Sequence, residues 1–147
     1  MDILLEIKQA FNFLIDKYNF ELQMKTRNAY AVLKYRRKDI GIDLEVEYVD
    51  FCVSVMIVRI TNGKEPKVYI RDDNGKKYRE YLEIILMEAG LISQAGLKTY
   101  HKINQKYRKK GISIVEKTEL ESIMIKQQAD LLAKYIDYII EKKEGLF

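Results

Sequence analysis

Ile40-Gly41-Ile42-Asp43-Leu44-Glu45-Val46-Glu47-Tyr48 alternates strictly, apolar at every even position and glycine or acid at every odd one. Period-two alternation of this kind makes a β-strand with one dry face. The runs on either side fit it. With a tight reversal near Lys38-Asp39 and another near Val49-Asp50, position 44 faces 33 on one side and 55 on the other. The dry face then collects Ala31, Leu33 and Tyr35, then Ile42, Leu44, Val46 and Tyr48, then Phe51, Val53, Val55 and Ile57. A slip of one residue would drive Asp43, Glu45 and Glu47 into that face, so the register is well determined and the three acids are expected to turn to water. Neither reversal carries the Asn-Gly favoured in two-residue turns, and longer loops of the same parity would serve as well.

The flanking segments read mostly as helix. Asp2 is placed to cap a first helix, whose stripe Ile3, Leu4, Ile7, Phe11, Leu14, Ile15 and Tyr18 runs for about four turns and belongs on the dry face. Phe20 to Lys25 alternates and reads as a short edge strand, with Thr26-Arg27-Asn28 turning into the meander. The second face of the last meander strand, Cys52, Ser54, Met56, Val58 and Ile60, is far less polar than Asp43, Glu45 and Glu47 beside it, and so calls for a cover. Thr61 to Pro66 is a loop, Val68-Tyr69-Ile70 a brief extended segment and Asp72-Asp73-Asn74-Gly75 a turn. A helix is expected from about Lys76 to Ala89, stopped by Gly90. Residues 97–109 read as a short amphipathic helix or a mobile loop ending at Gly111. Thr118-Glu119-Leu120-Glu121 is a capping box that opens a terminal helix with a broad apolar face, Leu120 to Ile140, closed by Lys142, Lys143 and Gly145.

The whole is one α+β domain spanning 1–147: an antiparallel meander of three to four strands packed on one face by an N-terminal helix and C-terminal helices. Residues 1–96 supply the first helix, the sheet and the second helix, and 97–147 the basic segment and the last helix. At 147 residues, 48% hydrophobic and 33% charged, the chain is long enough to bury a core without a staple. Cys52 is the only cysteine and His101 the only histidine, so neither an internal disulfide nor a four-ligand zinc site can be built from them. The acids at Asp2 and Glu6 and the lack of a long apolar run predict a soluble, cytoplasmic protein without a membrane contact. Heavy use of lysine and isoleucine is associated with an AT-rich bacterial source. The net charge of +4 is uneven, because seven Lys/Arg against Glu116 give residues 97–117 a net +6 and leave about −2 for the remainder.

Candidate sites are few. Asp72-Asp73-Asn74-Gly75 resembles part of a calcium loop, but Ile70 and Tyr81 fall where the first aspartate and the bidentate glutamate must be. His101 is the one imidazole base, without a Gly-x-Ser-x-Gly elbow to serve. The glycines match neither the phosphate-loop nor the dinucleotide fingerprint. No cofactor, metal ligand or catalytic residue is therefore assigned. Two surfaces remain: the acids Asp43, Glu45 and Glu47, partly neutralised by Lys34 opposite Asp43 and by Arg36, and the basic-aromatic run Tyr100, His101, Lys102, Lys106, Tyr107, Arg108, Lys109 and Lys110. The first suits a protein partner and the second a nucleic acid.

The order helix, antiparallel meander with its Gly41–Tyr48 strand, charged loop, Tyr81–Met87 helix and Ala129–Tyr135 helix resembles small bacterial immunity-type proteins of polymorphic toxin systems and uncharacterised relatives with that layout, Phe11–Tyr18 included. The resemblance implies a non-enzymatic module that binds and blocks a partner protein, with Asp43, Glu45 and Glu47 as mimics of phosphate for a basic cleft. Nucleic-acid binding through 98–110 is the alternative, and an enzyme with a carboxylate site around Asp43 and Glu45 the third reading.

Overall fold

The computed structural model describes residues 2–147. Two short helices, α1 (Ile3–Ala10) and α2 (Phe13–Asp16), lead into the strands β1 (Glu21–Thr26), β2 (Tyr30–Arg36), β3 (Ile40–Glu47), β4 (Cys52–Arg59) and β5 (Arg79–Tyr81). Helices α3 (Leu82–Glu88), α4 (Gln94–Tyr107) and α5 (Ile114–Glu141) follow. The strands form one antiparallel sheet in the order β1-β2-β3-β4-β5.

The expected register holds, with Leu44 opposite Leu33 on one side and Val55 on the other. Alternation therefore places Ala31, Leu33, Tyr35, Ile42, Leu44, Val46, Val53, Val55 and Ile57 in one layer, where Ile7, Phe11 and Leu14 meet them with Leu132, Ile136 and Ile139 of α5. Each fully buried aliphatic side chain contributes roughly 1.5–3 kcal/mol, so this layer dominates the stability of the fold. Both sharp reversals lie where the pattern puts them, Arg37 N–H donating to the Ile40 carbonyl at 2.9 Å across Lys38-Asp39.

Tyr35 is the one member of this layer carrying a polar atom without a partner. Its ring is fully buried and its hydroxyl has no hydrogen bond among the described residues. Burial pushes the phenol up to about 12. A folded-state pKa raised in this way leaves the neutral side chain's contribution intact below the unfolded value, about 10, and withdraws it as pH climbs towards 12. Tyr35→Phe removes an unsatisfied buried hydroxyl, so urea unfolding at neutral pH should show a gain of about 1 kcal/mol with unchanged slope, and the loss of stability above pH 10 should flatten.

Four local expectations are corrected. The first stripe breaks at Phe11-Asn12, where hydrogen bonds tighten to three-residue spacing (Asn12 to Gln9, Leu14 to Phe11), although its apolar side chains stay on one core. Val68-Tyr69-Ile70 is a bend rather than an extended segment. The helix expected from Lys76 begins only at Leu82, because Arg79–Tyr81 pairs with Met56–Val58 and makes the sheet five-stranded. Tyr78, Tyr81 and Leu82 satisfy a helical period, but an unpaired β4 edge is the stronger claimant for the backbone as far as Tyr81. Finally, α5 starts before Thr118. Ser113 Oγ accepts from Glu116 N–H at 3.1 Å, a Ser-x-x-Glu box in its own right, and the Thr118 hydroxyl donates back to the Ile114 carbonyl inside the helix. Of the segment 97–109, left open as helix or loop, residues 97–107 are helical as the body of α4, which Ser93 caps at Gly96 N–H and which ends at Tyr107, short of Lys109.

Candidate functional site

The odd residues of β3 point away from the helices, onto an outer face that is half covered. The cover is the excursion between β4 and β5, residues 60–78, which lies back across the sheet as a strap. Gly63 N–H donates to the Lys38 carbonyl and Tyr78 N–H to the Ile70 carbonyl, so the strap is pinned at one end and closed on itself at the other.

Beneath it lies a charge cluster. Asp43, expected at the surface, is 4% exposed, and Arg79 is buried beside it. Arg36 Nη1 is 2.7 Å from Asp43 Oδ1, and Arg79 Nε is 3.4 Å from Asp43 Oδ2. Arg36 also grips Glu65 of the strap with Nε and, at 3.2 Å, with Nη2. Arg79 holds the strap's backbone through the Tyr69 carbonyl at 3.0 Å. Lys34 does face Asp43 in the register, yet the carboxylate pairs with the two arginines instead. Planar, weakly hydrated guanidinium groups lose less on burial than an ammonium does. Burial is the largest influence on Arg36 and pulls its pKa down, but its bonds to Glu65 and Asp43 more than offset this and the group lies above its ordinary value. Glu65 is likewise raised by burial and lowered further by Arg36, ending below the usual carboxylate range.

Gly41 explains how Arg36 reaches Asp43. The two residues are directly paired, and a Cβ on Gly41 would stand 2.7 Å from Arg36 Nη1. The glycine is the seat on which the guanidinium lies.

Tyr69 marks the edge of the cover. Its hydroxyl donates to Glu45 Oε2 at 2.5 Å, and Arg79 lies over its ring at 5.1 Å. Burial first, and then the bond to Glu45, hold this phenol well above the ordinary tyrosine range. Beyond it the face is open. Tyr30, Tyr69 and Tyr81 are 45%, 54% and 40% exposed and line one concavity with Glu45, Glu47 and Val49. Glu47 makes no ion pair among the described residues. The three acids of β3 thus divide: Asp43 is sealed, Glu45 is bonded to a tyrosine, and Glu47 is free.

The basic run divides too. Lys102, Lys106, Lys109 and Lys110 are exposed and without an ion pair among the described residues, whereas Arg108 pairs with Asp50 at 3.2 Å. Both rings are engaged: Tyr100 and Tyr107 pack on the core, and the Tyr107 hydroxyl donates to Glu121 at 2.8 Å. Cations are available here, whereas both tyrosine rings are half-buried against the core.

His101 has partners that no local spacing discloses. Its Nε2 is 3.1 Å from Glu83 Oε2, and Gln128 donates to the other oxygen of Glu83 at 3.2 Å. Cys52, Ser54 and His101 line one pocket, yet Cys52 Sγ and Ser54 Oγ, 3.7 Å apart, make no hydrogen bond to the imidazole, so the nucleophile-to-base contact of a hydrolytic triad is not made. Among the described residues no group of three or more His, Cys, Asp or Glu is arranged to hold a metal, and no helix is long and apolar enough to cross a membrane.

Fold and face together define an α+β protein built on a five-stranded antiparallel meander, with helices on one side and a strap over half of the other. Compared with models of protein families, with curated proteins and with solved structures, the chain matches none.

Proposed function

We propose that this chain is a non-enzymatic binding module that captures and blocks a basic partner protein on the open half of the outer sheet face, the mode that the resemblance to immunity-type proteins implies. One observation carries it: three exposed tyrosines gathered around Glu45 and Glu47 in a single concavity. Tyrosine supplies large, stiff contact area at low entropic cost and is enriched at the centres of protein interfaces. The two carboxylates give the surface a sign, which speeds encounter with a cationic partner and rejects an anionic one. The bonds between the strap and the sheet hold Tyr69 in place before binding, so less ordering remains to be done on contact. Asp43 leaves the list of contact residues and becomes the anchor of the surface beside it.

The nucleic-acid reading keeps its free lysines but has both tyrosine rings half-buried against the core, so the protein-binding reading is the better supported. The two separate in one experiment. The product of the gene adjacent to this one is co-expressed with the chain and the complex titrated by calorimetry. Tyr81→Ala and Glu47→Lys are each expected to weaken it about tenfold or more, while Lys106→Gln, Lys109→Gln and Lys110→Gln combined leave it unchanged. Failure to form that complex overturns the proposal. So does a complex, or retention on heparin at low salt, that depends on the lysines and ignores the tyrosines.

A further inference from the structure

Strand β1 is an edge of the sheet, paired among the described residues with β2 alone. The hydrogen bond from Arg27 N–H to the Tyr30 carbonyl, 2.8 Å, sets the parity of that ladder. With Arg27 and Tyr30 a hydrogen-bonded pair, Lys25, Gln23 and Glu21 also direct their backbone groups at β2. Leu22, Met24 and Thr26 therefore present theirs outward. On the side chains the division runs the same way. Leu22 and Met24 stand opposite Tyr35 and Leu33, on the helix side of the sheet, where Leu22 is half-buried against the core and Met24 is 42% exposed. Glu21, Gln23 and Lys25 occupy the other face and are exposed.

We propose that two copies of the chain join edge to edge through β1, antiparallel and centred on Gln23, into one continuous sheet. In that register Leu22 of one copy meets Met24 of the other, and Glu21 meets Lys25, each contact made twice because the two-fold axis passes between the paired Gln23 residues. Parity agrees: Leu22 and Met24 are the residues whose N–H and C=O are free, so they become the hydrogen-bonded pairs, four bonds in all. Glu21 and Lys25 fall at the closer, non-hydrogen-bonded positions, where cross-strand charges interact most strongly. Sliding by two residues in either direction sets Lys25 against Gln23 or Asn19 and loses the match of Leu22 with Met24.

A charged residue on an edge strand ordinarily discourages pairing with foreign strands. Here the same Lys25 that discourages a foreign strand finds its counter-charge on a second copy. The axis stands perpendicular to the sheet, so the open outer faces of both copies lie on one side. This inference does not rest on the proposed partner. To the proposed partner the dimer offers two sites in fixed relation.

One short strand edge buries less than the area of a standard interface, so the dimer is concentration-dependent. Sedimentation equilibrium of the full chain at low salt, from about 10 μM to about 1 mM, should show monomer passing to dimer. Lys25→Glu and Glu21→Lys each bring like charges together at both ends and should weaken the dimer about tenfold. The double exchange restores the pairing with signs reversed and should recover it, an outcome that general charge effects or misfolding would not produce. Exchange of the Leu22 and Met24 amides should slow as concentration rises. A monomer throughout the range, a dimer indifferent to Lys25→Glu, or a double exchange that fails to recover association overturns the proposal.

Discussion

Asp43→Ala is expected to cost about 3–5 kcal/mol of unfolding free energy, read as a lower urea midpoint at neutral pH. The carboxylate is 4% exposed, and both arginines that it binds have side chains no more than 10% exposed. Deleting it leaves two buried guanidinium groups facing each other with only Glu65, at the rim, to balance them. Their mutual repulsion and unmet hydrogen bonds set the cost, rather than the modest net worth of the original pairs. It follows that removing the cluster as a unit should be far milder. Arg36→Met, Asp43→Leu and Arg79→Met together should recover most of the loss, because an apolar layer of similar volume needs no counter-charge. Stability lost equally by the single and the triple variant would point to shape rather than charge.

Gly41→Ala comes next in size, and there even the sign is informative. Strand propensity alone favours alanine over glycine by roughly 0.5–1 kcal/mol. The geometry opposes it: the added Cβ would sit 2.7 Å from Arg36 Nη1 and 2.9 Å from Cζ. An exposed arginine would swing aside at little cost, but this one is held by Asp43 and Glu65 and can move only by abandoning them. A loss of about 1–3 kcal/mol is expected. In an Arg36→Ala background the seat is vacant, and Gly41→Ala should become neutral or stabilising. Equal effects in both backgrounds would show that the contact is not the cause.

The face turned to the helices was legible because alternation is a local property. From Ile40 to Tyr48 every second residue is apolar, and both neighbouring runs share the parity, so one layer and one register satisfy all three. Whether the other face is wet is not local. It depends on where residues 60–78 return, and nothing in the alternation of β3 encodes that. A signal was nonetheless present. The same register sets Asp43 opposite Met56 and Gly41 opposite Val58, and an acid paired across strands with a buried methionine is itself short of water. The start of α3 was ambiguous since Tyr78, Tyr81 and Leu82 suit two periods, and the start of α5 because two capping boxes stand in sequence and only one can be first. The company of His101 joins α3, α4 and α5, a meeting that no spacing along the chain foretells.

The seal over the outer face is tested most directly by a double-mutant cycle on Asp43→Asn and Arg79→Met, with unfolding free energy as the readout. Arg79 is the residue that touches both the sheet's buried carboxylate and the strap's backbone. A coupling above about 1 kcal/mol is predicted, while effects that add within about 0.3–0.5 kcal/mol would mean that the two residues act apart and that something other than this pair closes the face.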